Sequence, residues 1–106
     1  MSKLAAIFFA AVTAAPAAAH DATPTAAQPN GWTYPLACCS GFDCHEIRDR
    51  AVLEDSRGYV IKLTGELITS RDSRIKTSPD GRFHQCTVAG EATGRTICLF
   101  VPPRSF

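Results

Sequence analysis

"RFHQCTVAGEATGRTICLFV", residues 82–101, reads as two strands and the turn between them. β-Branched, aromatic and cysteine residues fill both ends, and AGEATG has hairpin length with two glycines. Pairing across that loop is expected to set Cys86 opposite Cys98, where a bridge can form if the facing Cβ atoms come within about 4.5 Å. A slip of one residue would spoil it. Alternation along the strands puts His84, Cys86 and Val88 on one face with Cys98 and Phe100, and Phe83, Ile97, Leu99 and Val101 on the other. Both faces of RTICLFV are then apolar, which predicts a central strand covered on each side.

Working outward, SPDG at 78–81 carries the proline and glycine of a type I turn and hands the chain to RFHQCTV. AVLED at 51–55 and GYVIKL at 58–63 flank Ser56 and Arg57, a hairpin pattern, and LITSR supplies a third strand. No segment shows a helical period. The expected class is therefore all-β: a small curled antiparallel sheet or SH3-like barrel with an irregular, disulfide-tied N-terminal segment. CCSGFDC is the natural cover for the cysteine face. Trp32, Tyr34, Phe42 and Phe106 could form a contact patch, but at this size packing over the sheet is the better expectation.

The first residues set the expected compartment. Lys3, the apolar run LAAIFFAAVTAA and the small residues APAAA form a secretory signal over residues 1–19, with His20 as the favoured mature N-terminus and Ala18 as the alternative. The apolar run falls short of the roughly 20 residues a membrane span needs, so no anchor is expected and the location is periplasmic or secreted. Removing Lys3 leaves ten basic against ten acidic residues. That balance argues against nucleic acid or an anionic membrane as partner, because both demand clustered positive charge. Arg48, Arg50, Arg71 and Arg74, interleaved with Asp49, Asp55 and Asp72, read as a solvated face. Residues 20–31 are rich in Pro, Thr and Ala and read as a flexible lead, leaving one β domain over residues 32–106. A core of that size is marginal alone and calls for staples.

Five cysteines, Cys38, Cys39, Cys44, Cys86 and Cys98, all lie beyond the signal, in a chain addressed to an oxidising compartment. Two bridges and one odd thiol are the default. The favoured set joins Cys86 to Cys98 and Cys44 to Cys38 or Cys39; the competing set ties the N-terminal segment onto the hairpin, for example Cys39 to Cys86 and Cys44 to Cys98. A metal reading would use His45, His84 and a free cysteine for copper or zinc, with His20 offering an imidazole beside a free amino terminus. Cys39, Cys44 and His45 also form C-x4-C-H, an expanded relative of the haem attachment motif. The odd cysteine could act as an exchange thiol or join two chains in a disulfide-linked dimer. Among the carboxylates, Asp43, Glu46, Asp80 and Glu91 match no catalytic motif, and Asp80 is explained by its turn. His84, Asp43 and Ser40 make a triad only on paper.

CCSGFDC at 38–44, SPDGRFHQC at 78–86 and CLFVPP at 98–103 resemble the motifs of an uncharacterised family of small secreted proteins of Gram-negative bacteria. The resemblance spans nearly all of the mature domain and implies no activity. The functional expectation is a non-enzymatic binding or accessory module, without cofactor, whose partner is a protein or another envelope component. A periplasmic copper or zinc binder is the alternative.

Overall fold

The computed structural model describes residues 21–38 and 43–103. Among these residues the chain is all-β, with short strands, two single-turn 3-10 segments and no longer helix. Among the described residues no helix is long and apolar enough to cross a membrane. The strands are β1 (Asp21–Ala22), β2 (Trp32–Thr33), β3 (Cys44–Glu46), β4 (Val52–Asp55), β5 (Gly58–Ile61), β6 (Glu66–Thr69), β7 (Ile75–Thr77), β8 (His84–Thr87) and β9 (Thr96–Val101). They form a two-stranded ribbon, β1 with β2; a four-stranded sheet in the order β3, β8, β9, β7; and a three-stranded meander of β4, β5 and β6. No barrel closes among the described residues, so the open-sheet form of the expectation holds there and the SH3-like form does not.

The 82–101 stretch behaves as its pattern predicts at the centre and departs at one end. Cys86 does face Cys98, and His84 faces Phe100, in an antiparallel pair. Beyond Cys86 the register shifts and Thr87 faces Thr96, so Ile97 is left without a partner on β8. This is a β-bulge, which re-aims the extra residue. Ile97 accordingly packs with the cysteine cluster and not with Leu99 and Val101. Val88 leaves the strand for the 3-10 turn Val88–Gly90 and is exposed.

As expected, β9 is internal, but its second neighbour is β7, and that pairing is parallel. One face of the sheet carries Phe83, Leu99 and Val101, and the meander lays Val52, Ile61 and Ile68 on it. Ile68 and Leu99 are fully buried at the centre of this layer. The other face carries Cys86, Cys98 and Phe100 and is covered by Ala22, Trp32, Tyr34 and Cys38. Trp32 and Tyr34 thus pack over the sheet, while Phe42 and Phe106 lie outside the described residues. Part of the stretch expected as a flexible lead takes part in this cover: Asp21–Ala22 pairs with Trp32–Thr33, and Ala22 is buried.

Polar contacts tie the meander to the bulge. Glu66 on β6 accepts the Thr96 hydroxyl at 2.6 Å and the Thr96 amide at 3.2 Å. Arg74 donates to Glu66 at 3.2 Å, to the Thr96 carbonyl at 3.2 Å and to Asp72 at 2.7 Å. Arg74 is therefore a half-buried brace, not one more residue of a solvated face.

The hairpin at Ser56 and Arg57 depends on Gly58. Its φ is +139°, and a Cβ there would lie 2.4 Å from the Ile68 carbonyl oxygen and 2.7 Å from the Ser70 nitrogen. Backbone on the neighbouring strand cannot give way as a side-chain tip can. Gly58→Ala is expected to lower the unfolding free energy by clearly more than about 1 kcal/mol, read from a urea denaturation curve. An unchanged midpoint would show that the two strands do not approach so closely.

Candidate functional site

The cysteines tie the N-terminal segment onto the hairpin, as the competing set has it and the favoured set does not, though with other partners than its example. Cys38 bridges Cys98, and Cys44 bridges Cys86. The reason lies in β3. Cys44, His45 and Glu46 form an edge strand in register with Cys86, Gln85 and His84. The Thr87 amide donates to the Asp43 carbonyl and the Ile47 amide to the Phe83 carbonyl, so the ladder bonds fall on the alternate positions. Cys44 and Cys86 are thereby a non-hydrogen-bonded pair, the position at which facing side chains come closest. With Cys86 taken, Cys98 is met from above by Cys38. Cys39 lies outside the described residues.

Under these bridges sits a chain of polar groups built by the ribbon and the SPDG turn. The Tyr34 hydroxyl is 2.7 Å from His84 Nδ1, and His84 Nε2 lies 2.9 Å from both oxygens of Asp80. Asp80 also accepts from Trp32 Nε1 at 3.1 Å, the Ser78 hydroxyl at 2.8 Å and the Arg82 amide at 3.0 Å. Trp32 meets His84, Tyr34 and Phe100 edge-on, with ring centroids 4.9, 4.8 and 5.2 Å away. Burial alone would raise the Asp80 pKa. The hydrogen bonds from Trp32, His84, Ser78 and the Arg82 amide outweigh it and hold the carboxyl at about 2, below its ordinary 3.8. An ionised carboxylate only accepts, so His84 Nε2–H donates to Asp80 and Nδ1 is filled by Tyr34.

An Asp, a His and a hydroxyl in line have the makings of a proton relay. Here the relay is sealed: Tyr34 and His84 are 2% and 1% exposed, and no pocket opens among the described residues. Ser40 of the paper triad lies outside the described residues, and the carboxylate that reaches His84 is Asp80, not Asp43. Asp80 therefore does more than shape its turn. The arrangement fastens Trp32 and Tyr34 to Asp80 and to His84 of β8, beside both bridges.

The metal ligands proposed from sequence are not brought together. His45 faces Gln85 while His84 precedes Gln85 on β8, so strand alternation sends the two imidazoles to opposite faces of the β3/β8 pair. Both ring nitrogens of His84 are already engaged. His20 lies outside the described residues, and no group of three His, Cys, Asp or Glu side chains suited to a metal occurs among the described residues. The C-x4-C-H reading is overturned, because the Cys44 sulfur is spent in its bridge to Cys86. Of the other carboxylates, Glu46 pairs with Arg82 at 3.1 Å on the surface and Glu91 is exposed in a loop.

His45 is half-buried, and burial, followed by the nearby His84, holds its pKa below the ordinary 6.5. The unfolded chain then binds the proton more readily than the folded one. This contribution to stability is whole above pH 6.5 and is lost as the pH falls through 6.5 towards the lowered value. Unfolding free energies measured between pH 7.5 and 5 are expected to fall with pH, and His45→Gln should flatten that slope. A slope unchanged in the variant would assign it to another group.

The surface offers a second feature, not foreseen from the sequence. In the meander Leu53 faces Val60, and Val60 faces Leu67. The adjacent rows, with Val52, Ile61 and Ile68, point to the core, so alternation turns this row outward. Leu53 and Leu67 are 46% and 37% exposed. No family model, curated protein or solved structure matches the chain. The signal for the row was present: a two-residue turn at 56–57 already sets 53 against 60, but the strands were read one at a time.

Proposed function

We propose that this is a secreted, periplasmic binding or accessory module without enzymatic activity, and that its working surface is the outer face of the meander. The observation that carries this reading is the outward row of exposed Leu53 and Leu67 with partly buried Val60 between them. Scattered surface leucines need no explanation, but apolar residues side by side across three strands form a contiguous patch, and such patches mark interaction sites. Support also comes from what is withheld. The histidine, carboxylate and hydroxyl that could do chemistry are buried and mutually satisfied, and two bridges fit an oxidising compartment.

The experiment is site-specific photocrosslinking in periplasm, with the photoreactive residue at Leu53 or Leu67 and a control at exposed Lys76. Adducts from the two leucine positions, and none from Lys76, are expected. Equal or absent labelling at all three would end the reading.

A further inference from the structure

We propose that the occupant of this face is a second copy of the chain, in a two-fold dimer packed meander to meander. The inference rests on the binding reading above and names its partner. A two-fold interface must be complementary to itself. The outer face of the meander has that property along one axis only. Beside the apolar row on one side lies Lys62, whose amide extends the ladder to the Ala51 carbonyl; on the other side lies Asp55, paired with Gly58. Rotation about an axis along the row lays Leu53, Val60 and Leu67 on the same residues of the second copy and carries the Lys62 side over the Asp55 side. Rotation about the strand direction would set Lys62 against Lys62. The charges thus select the first axis.

Asp55 is already met by Arg57 at 2.7 Å, so the charged ends orient the dimer more than they tighten it. The apolar row supplies the attraction, as it does where the inner face of the same meander packs on the four-stranded sheet. A face limited to three short strands falls in the small interface class, so association should be weak and concentration-dependent.

The test is sedimentation equilibrium of the Cys39→Ser protein up to about 1 mM, with Leu67→Lys, Lys62→Glu and, as control, Leu36→Lys. Leu36 is exposed in the turn before Cys38, on the ribbon side. A reversible dimer is expected, weakened at least tenfold by Leu67→Lys, measurably by Lys62→Glu, and not by Leu36→Lys. A monomer throughout, or a dimer indifferent to Leu67→Lys, overturns the proposal. Adducts from Leu53 to a different protein, with a monomer in the centrifuge, would overturn the second copy while leaving the binding reading intact. No adducts and no dimer would remove both.

Discussion

Replacing Cys38 and Cys98 together by alanine is expected to lower the unfolding free energy by about 4 kcal/mol. The bridge closes a loop with a sequence separation of 60, and in the polymer model a crosslink of that length restricts the unfolded chain by about that amount. The Cys44–Cys86 bridge, with a separation of 42, is expected to contribute nearly as much. Domains of this size rarely hold more than 3–5 kcal/mol from their core alone. Removing one bridge should therefore bring the protein to the edge of unfolding at 25 °C, and reducing both should unfold it. Both cysteines must be changed at once, since a lone Cys98 or Cys38 would be open to exchange with Cys39. A urea midpoint displaced by less than about 1 M would show that the ribbon and the sheet hold without the staple.

Asp80→Ala is expected to cost about 3–5 kcal/mol, as removal of one partner from a buried charged network does. The indole N–H of Trp32, the Ser78 hydroxyl and His84 Nε2 lose their acceptor at once, and the Arg82 amide keeps only its 3.3 Å bond to the Ser78 hydroxyl. Tyr34→Phe, which removes only the outer link, should cost about 1–2 kcal/mol. The same carboxyl makes an acid prediction whose sign follows from its lowered pKa. Its contribution is whole above the ordinary 3.8 and is lost as the pH falls from there through about 2, amounting to about 2 kcal/mol. In Asp80→Asn that acid step should vanish from the pH dependence of stability. A change in Trp32 fluorescence at the same step would place the loss at the ribbon. If Asp80→Ala unfolds at the same urea concentration as the parent, the relay is not a fastening.

Much of the fold could be read from short-range rules, and its failures share a cause. Cys86 and Cys98 do face each other, but a symmetric hairpin about AGEATG pairs Thr87 with Thr96 and Cys86 with Ile97; the bulge at Ile97 brings Cys98 opposite Cys86, and no bridge forms between them. A bridge needs more than opposition across a ladder: Cys86 has a neighbour on each side, and which one it takes is decided by β3. That strand has only three residues, Cys44, His45 and Glu46, with no β-branched residue among them, so nothing in its composition announces it. It exists because the sheet edge and the bridge hold it. β7 is missed for the same reason, its parallel partner β9 lying beyond reach of any turn signal. The bulge at Ile97 costs one face assignment, since alternation counts residues and a bulge inserts one.

The candidate site was legible in parts. His84 was rightly placed on the cysteine face, but its partners were not found, because Asp80 had a sufficient local explanation in the SPDG turn. A turn aspartate four residues before a buried histidine can serve both, and here it does. Trp32 and Tyr34 were expected to cover the sheet; that their polar tips would meet Asp80 and His84 required the three-dimensional register. The apolar row was hidden differently. Leu53, Val60 and Leu67 are unremarkable in their own strands and become a patch only when three strands are laid side by side.

The pairing of four sulfurs underlies the sealed relay, the ribbon and the separation of the two faces, and it can be read directly. The unreduced protein, alkylated and cut before aspartate and after arginine, places Cys38 with Cys39, Cys44, Cys86 and Cys98 on four separate peptides. Mass spectrometry is expected to find the peptide of Cys38 and Cys39 linked to that of Cys98, the peptide of Cys44 linked to that of Cys86, and the alkyl group on Cys39. A peptide joining Cys86 to Cys98 would contradict the structure of the site and return the N-terminal segment to an open question.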